Sequence, residues 1–182
     1  MSFLKENSHI NSVLDILQLN RKAGVALVQF HSAVMRQESE LSVRDRELIA
    51  AYVSGLNACR YCHGVHSVTA ELFGVEAGLL EAMIEDLDLA AIDDRLKSIF
   101  VFVRQLTEEP SKVSQELADA VFEAGWSEQA LHDAVQVCCL FNFMNRLIEG
   151  HGVKGNQSLY SERGRLLGEN GYEPMLNALL EK

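Results

Sequence analysis

The stretch Glu47-Leu-Ile-Ala-Ala-Tyr-Val-Ser-Gly-Leu-Asn-Ala-Cys59-Arg-Tyr61-Cys62-His63-Gly-Val-His66 holds the residues whose types and spacing could do chemistry. Two cysteines three apart at a helix start occupy neighbouring positions of the first turn. They can close into a disulfide with little backbone movement. A helix N-terminus favours negative charge, lowers a thiol pKa and so raises the share of thiolate, the nucleophilic form. His66 stands four residues after Cys62, on the same helix face, where an imidazole can take the thiol proton or steady the thiolate. His63 has the same relation to Cys59, either tuning that thiol or standing as an exposed polar residue. Glu47 comes back by geometry. Its helix climbs roughly 15 Å from Glu47 to Asn57, and an antiparallel return leaves His66 about 10 Å back down from Cys59. The two heights then differ by roughly 5 Å, within reach of long side chains or one water. A carboxylate behind an imidazole sets its tautomer and raises its basicity. Helix arithmetic with one assumed antiparallel hairpin therefore predicts a relay Glu47–His66–Cys62 with Cys59 as disulfide partner.

Other readings of the same residues stand beside that one. A Cys-x-x-Cys pair also serves as two small buried apolar residues. Cys59, Cys62, His66 and Glu47 are sound zinc ligands, although no second Cys/His pair follows at finger spacing. Tyr61 is a packing aromatic or a proton donor, and Glu47 alone reads as a first-turn carboxylate. Cys138 and Cys139 lie in an apolar helix and point about 100° apart, so core packing is expected of them. His132 and His151, near the ends of that helix, read as capping or interface residues. Trp126 reads as an anchor of the helix start, and Asp86, Asp88, Asp93 and Asp94 as a solvated acidic surface.

Helical periodicity runs through most of the chain and sustained alternation is absent, so the expected fold class is all-α. Helices are predicted over Asn11 to Leu19 and Lys22 to Met35, the second with Ala23, Ala26, Leu27, Phe30 and Val34 inward. Ser42 caps a helix carrying Leu48, Ile49, Tyr52, Val53 and Leu56. Another starts near Cys59 and stops at Gly74. A short acidic helix over Glu76 to Asp86 and one beginning at Asp94 come next. Thr107 to Ser114, holding Pro110, is the clearest linker. A helix over Gln115 to Glu123 precedes a break at Gly125. A long helix capped by Ser127 then runs to Gly150, its middle, Ala134 to Met144, apolar nearly all round and expected to be buried. The tail Gly152 to Gly171 holds five glycines; it reads as irregular, or as an arm against a neighbouring subunit. Glu173 to Leu180 is a last short helix. Sliding Ser42–Phe73 onto Ser127–Ser158 aligns Asn57 with Asn142 and His66 with His151, a hint of two related helical halves.

The chain has 182 residues, of which 48% are hydrophobic and 23% charged, and a net charge of −10. That length fits one domain, 1–182, able to fold on its own core. The acidic balance argues against a general nucleic-acid binder. No run of about 18 apolar residues suggests a membrane span. Met1 to His9 lacks a signal-peptide pattern, so the expected address is cytoplasmic, where close cysteines imply redox or metal chemistry rather than structural bridges. No glycine motif for a nucleotide occurs.

The pattern Glu-x11-Cys-x-Tyr-Cys-x3-His, at Glu47, Cys59, Tyr61, Cys62 and His66, resembles the AhpD-like alkylhydroperoxidases of the carboxymuconolactone decarboxylase superfamily. The specific match covers about 41–74. The segments Gly125-Trp-Ser-Glu-Gln-Ala and Phe-Asn-Phe-Met-Asn-Arg are similar to its uncharacterised peroxidase-related branch, extending the resemblance to about 20–155 and leaving 152–182 as a C-terminal arm. The resemblance implies an AhpD-like helical bundle assembled as a homotrimer or homohexamer. It implies reduction of organic hydroperoxides by the dithiol, or electron transfer to a peroxiredoxin partner, without a bound cofactor. An external dithiol reductant of lipoamide or thioredoxin type would restore the thiols. Carried over, Cys62 is the attacking thiolate and Cys59 its more exposed disulfide partner, with Glu47 and Tyr61 completing the proton relay. The superfamily's true decarboxylases lack the cysteine pair, so redox chemistry is favoured over a lyase, with a non-enzymatic metal-binding protein as the further alternative.

Overall fold

Ser42 and Asp45 cap each other's backbone amides and start a helix whose residues 46–54 are all buried. That helix is the axis of the structure. The computed structural model describes residues 2–181. Among them are ten α-helices: α1 Val13–Gln18, α2 Arg21–Arg36, α3 Val43–Leu56, α4 Arg60–Leu72, α5 Leu79–Glu85, α6 Asp94–Glu108, α7 Gln115–Glu123, α8 Glu128–His151, α9 Gln157–Asn170 and α10 Glu173–Leu180. A short 3-10 turn, Pro110–Lys112, lies in the expected linker. The boundaries follow local chemistry. Asp93 caps α6 through the Arg95 and Leu96 amides, Ser127 caps α8 through Ala130, and Asn156 caps α9 through Leu159. Gly74, Gly125 and Gly152 end their helices in the left-handed region.

α4 folds back along α3 through a three-residue connection. Ala58 takes a positive φ of 53°, unusual for a residue with a Cβ. It lets Cys59 N–H bond back to the Ser54 carbonyl at 2.9 Å and stand as N-cap of α4. α8 and α6 pack on other sides of α3, and α9 covers the far side of α4. α1, α2 and α10 close the remaining side. Trp126 anchors the start of α8 as expected. Its indole N–H donates to the Arg95 carbonyl at 2.7 Å, and the Arg95 guanidinium lies 3.7 Å from its ring. No helix among the described residues is long and apolar enough to cross a membrane.

Four expectations need correction. α2 turns a different face inward, Gly24, Val28, His31 and Met35, and leaves Ala23, Ala26 and Phe30 outside. The buried stripe, which includes the polar His31, is rotated by about one position from the expected one. The middle of α8 is not buried all round, since Cys139 and Phe143 are exposed; the enclosed helix is α3. Ser127–Ser158 is largely one straight helix, so it does not repeat the Ser42–Phe73 hairpin. The aligned pair Asn57 and Asn142 nevertheless meet, at 3.1 Å. The glycine-rich tail is regular helix, and it packs on its own chain. Gly164 of α9 lies so close to α4 that an added Cβ would sit 2.6 Å from Val68 Cβ and 2.8 Å from the Val65 carbonyl oxygen. The Thr69 hydroxyl bonds to the Gly164 carbonyl at 3.1 Å.

Gly164→Ala is therefore expected to destabilise the chain by about 1–3 kcal/mol through forced separation of α4 and α9. Gly150→Ala, where a Cβ would meet nothing, should be neutral or stabilising by up to about 1 kcal/mol. Urea unfolding of both variants checks this; equal effects would refute the close packing.

Candidate active site

The α3–α4 hairpin brings Glu47 and His66 together as the helix arithmetic predicts. His66 Nδ1 lies 2.6 Å from Glu47 Oε2. The carboxylate is fully buried, and its other oxygen lies 2.7 Å from Arg36 Nη1, delivered by the last turn of α2. Burial alone would raise the Glu47 pKa. His66 and Arg36 outweigh it and hold the carboxyl below its ordinary value. An ionised Glu47 accepts the hydrogen bond of the His66 Nδ1–H, leaving Nε2 as the reactive ring nitrogen. Phe141 of α8 meets the His66 ring edge-on at 4.5 Å and fixes its plane.

Cys59 and Cys62 are both free thiols and both buried, at 0% and 4% exposure. Cys59, expected to be the more exposed of the two, is closed off from solvent as fully as Cys62. The two thiols interact directly and titrate as a pair. The Cys62 thiol lowers the Cys59 pKa. Burial opposes this, and the Cys62 backbone amide assists it. Cys62 is pushed well above its ordinary value by Cys59 and by burial, with Asn145 working the other way. The charge of the pair therefore rests first on Cys59, where the amides of the helix start favour it. Asn145 is buried on α8 and held by Asn57 at 3.0 Å and by Ser54 at 2.9 Å.

Tyr61 makes no contact with the Glu47–His66 pair. Its ring packs edge-on against Tyr160 at 6.4 Å, and burial raises its pKa, so it reads as a wall rather than a relay member. His63 turns away from the thiols, with Nδ1 3.1 Å from the Ala51 carbonyl. Cys138 is a packed core thiol, raised to about 11 by burial, whereas Cys139 is exposed. His132 is exposed, and His151 bonds to the Leu147 carbonyl near the end of α8. Of the acidic residues expected to be merely solvated, Asp93 caps α6 and Asp86 binds the Asp88 and Leu89 amides. Among the described residues, no group of three or more His, Cys, Asp or Glu stands close enough to hold a metal ion. Both oxygens of Glu47 are already taken by His66 and Arg36.

A cavity of about 340 Å³ opens onto the site. Cys62 and His66 line it and Cys59 does not. Its remaining walls are mostly apolar: Leu14 and Leu17 of α1, Val28 of α2, Met144 of α8, Leu167 of α9 and Met175 of α10. His31 and Tyr172 complete the lining near the dithiol. The Tyr172 hydroxyl is buried without a hydrogen-bond partner. Arg36, His31 and Tyr172 were not among the predicted site residues. Only the i, i+4, i+7 spacing of Gly24, Val28 and His31 could have pointed to one of them.

Glu47→Gln keeps the shape but leaves Arg36 without its counter-charge, with an expected loss of about 3–5 kcal/mol at pH 7. A depressed carboxyl contributes stability above its unfolded value and loses it as pH falls through the folded value. The gap between wild type and Glu47→Gln should therefore narrow as pH drops below about 4.5. Urea midpoints taken stepwise from pH 7 downward test this; a gap that stays constant with pH contradicts an ionised Glu47.

Residues 22–100 match the model of the Carboxymuconolactone decarboxylase family. Among curated proteins, none matches the chain in sequence. Solved structures share the fold at low identity. An uncharacterized peroxidase-related protein from Silicibacter sp. TM1040 superposes with a TM-score of 0.76 at 23% identity, over 88% of this chain and 84% of that one. The alkylhydroperoxidase AhpD core of an uncharacterized peroxidase-related protein from Ralstonia eutropha JMP134 gives 0.74 at 21%, over 82% and 78%. A cysteine-to-alanine variant of the debrominase Bmp8, in complex with 2,3,4-tribromopyrrole, gives 0.69 at 14%, over 91% and 81%. The matched segment carries Glu47, Cys59, Cys62 and His66, and the chain is similar to the carboxymuconolactone decarboxylase family over that segment and to AhpD-like structures in its fold.

Proposed function

We propose that the protein is a thiol-dependent hydroperoxide reductase whose electrons come from Cys59 and Cys62. The observation that carries this reading is one arrangement: a coupled dithiol at a helix start, a carboxylate-backed imidazole on the same helix, and an apolar cavity meeting both at Cys62. His66 Nε2 takes one proton from the dithiol, and the remaining proton is shared by the two sulfurs. With that proton on Cys59, the Cys62 thiolate attacks the terminal oxygen of a hydroperoxide. The S–O bond forms as the O–O bond breaks, and the departing alkoxide takes the proton from His66 to leave as alcohol. Cys59 then attacks the Cys62 sulfenic acid, closing the disulfide and releasing water. An external dithiol donor reduces the pair for the next turn.

A decarboxylase binds a carboxylate. Here Arg36 is paired with Glu47 behind the site, and Arg163 is the one arginine lining the cavity among the described residues. The shape and charge therefore suit a neutral substrate better. The likeness to a debrominase suggests a second reading on the same dithiol, in which a carbon–bromine bond is cleaved to carbon–hydrogen and bromide while the pair is oxidised. Release of bromide from 2,3,4-tribromopyrrole by the reduced chain would favour it.

One equivalent of organic hydroperoxide should consume two thiols and two mass units from the peptide holding Cys59 and Cys62, leaving Cys138 and Cys139 as thiols. Cys62→Ser should lower turnover by more than about a thousandfold. Cys59→Ser should stop multiple turnover yet still form one sulfenic acid on Cys62. Unchanged thiols after peroxide, or full rates in both variants, would defeat this mechanism.

A further inference from the structure

His31 is a buried histidine on α2 that the dithiol mechanism does not use. It is 6% exposed and lines the cavity with Cys62 and His66. Its Nδ1 lies 2.7 Å from the Leu27 carbonyl oxygen. A carbonyl only accepts, so Nδ1 carries the proton and Nε2 is a bare lone pair. Among the described residues, no group bonds to that Nε2 atom. The ring cannot swing away, since Tyr172 lies 5.3 Å and Phe141 6.3 Å from its centre. Burial pushes its pKa down to about 4, with the Leu27 carbonyl and Glu47 opposing and His66 assisting. At neutral pH the nitrogen thus accepts a hydrogen bond and does not donate one. Buried acceptors are costly to leave unpaired.

We propose that His31 Nε2 accepts the O–H of the bound molecule, so that the cavity selects uncharged, apolar hydroperoxides and alcohols that present a hydroxyl at the dithiol end. This rests on the peroxidase reading and adds its substrate class. A hydroperoxide whose O–H is held by His31 has its terminal oxygen fixed, with the inner oxygen left for the proton that His66 returns. A carboxylate brings negative charge and no proton, so it meets a lone pair and is disfavoured. At a water's share of roughly 30 Å³ per heavy atom, a volume of about 340 Å³ has room for a branched or single-ring body.

The test compares two probes on the reduced full-length chain by calorimetric titration: 2-phenyl-2-propanol, and isopropylbenzene, which lacks the hydroxyl. Wild type should bind the alcohol about tenfold more tightly, the value of one good hydrogen bond. His31→Leu should abolish that preference while changing isopropylbenzene affinity by no more than about twofold, and His31→Gln, whose side-chain oxygen accepts, should restore part of it. A residue that only packs would shift both probes together. Equal binding of the two probes by wild type, no binding of either, or a preference that survives His31→Leu overturns the proposal. Turnover of cumene hydroperoxide is measured on the same samples. Full turnover without a hydroxyl preference removes this proposal and leaves the peroxidase. A preference without turnover removes the peroxidase and leaves a hydroxyl-reading cavity.

Discussion

An ionised carboxylate in the middle of a fully enclosed helix is the most demanding feature of this fold. Stripping water from such a group costs several kcal/mol even after relaxation, and only close opposite charge and hydrogen bonds offset it. Glu47 receives both, from Arg36 on α2 at 2.7 Å and from His66 on α4 at 2.6 Å. Three helices are tied through one carboxylate. None can slide along another without stranding a charge, so the interaction that orients the His66 ring also fixes where α2 and α4 stand beside α3. Arg36 in turn lies 5.2 Å from the Tyr172 ring and 5.8 Å from that of Phe73. The guanidinium is thereby held from the side opposite the carboxylate.

The dithiol depends on a second local constraint. With Ala58 in the left-handed region, the chain reverses in three residues and Cys59 lands on the N-cap of α4. A non-glycine residue there costs on the order of 1 kcal/mol. The return is positional. Cys59 gains the helix-start amides and Cys62 falls one turn further, facing the cavity. The polarity is divided accordingly. Cys59 sits where charge is stabilised, and Cys62 sits where substrate arrives beside His66. A single shared proton lets either sulfur carry the charge, so the better-stabilised thiolate and the reacting one need not be the same residue.

Much of this was legible in the sequence because it is local. Capping by Ser42 and Ser127, the stop at Gly74 and the return of α4 along α3 all follow from neighbours a few residues apart, and the Glu47–His66 contact follows from 1.5 Å per residue. What was not legible comes from elsewhere. Arg36, His31 and Tyr172 reach the site only through packing of α2 and α10, and spacing offers a hint only for His31, in line with Gly24 and Val28. In α2 the face read as inward, Ala23, Ala26, Leu27, Phe30 and Val34, lies about one position away from the buried one that holds His31. Cys59 was expected to be the more exposed cysteine because the resemblance assigned it the reductant-facing role, but both thiols are buried. In α9 the glycines suggested irregular chain, whereas Gly164 is small for a close helix crossing against Val65 and Val68.

The origin of the cavity walls bears on what sets substrate choice. The reacting groups come from α3 and α4, inside the matched segment 22–100. Most of the apolar wall comes from α1, α8, α9 and α10, outside it. A change at Leu14, Leu167 or Met175 alters the volume without touching the Glu47 charge network, because those side chains make no polar contact with it. A change at Arg36 or Glu47 disturbs three helices at once. Substrate specificity can thus drift in the chain ends while the proton relay stays fixed by electrostatics. Val28 and His31 of α2 and Tyr61 and Val65 of α4 are the exceptions, lying inside the matched segment yet lining the cavity. At these positions the segment that holds the proton relay and the wall supplied by the chain ends face the same space.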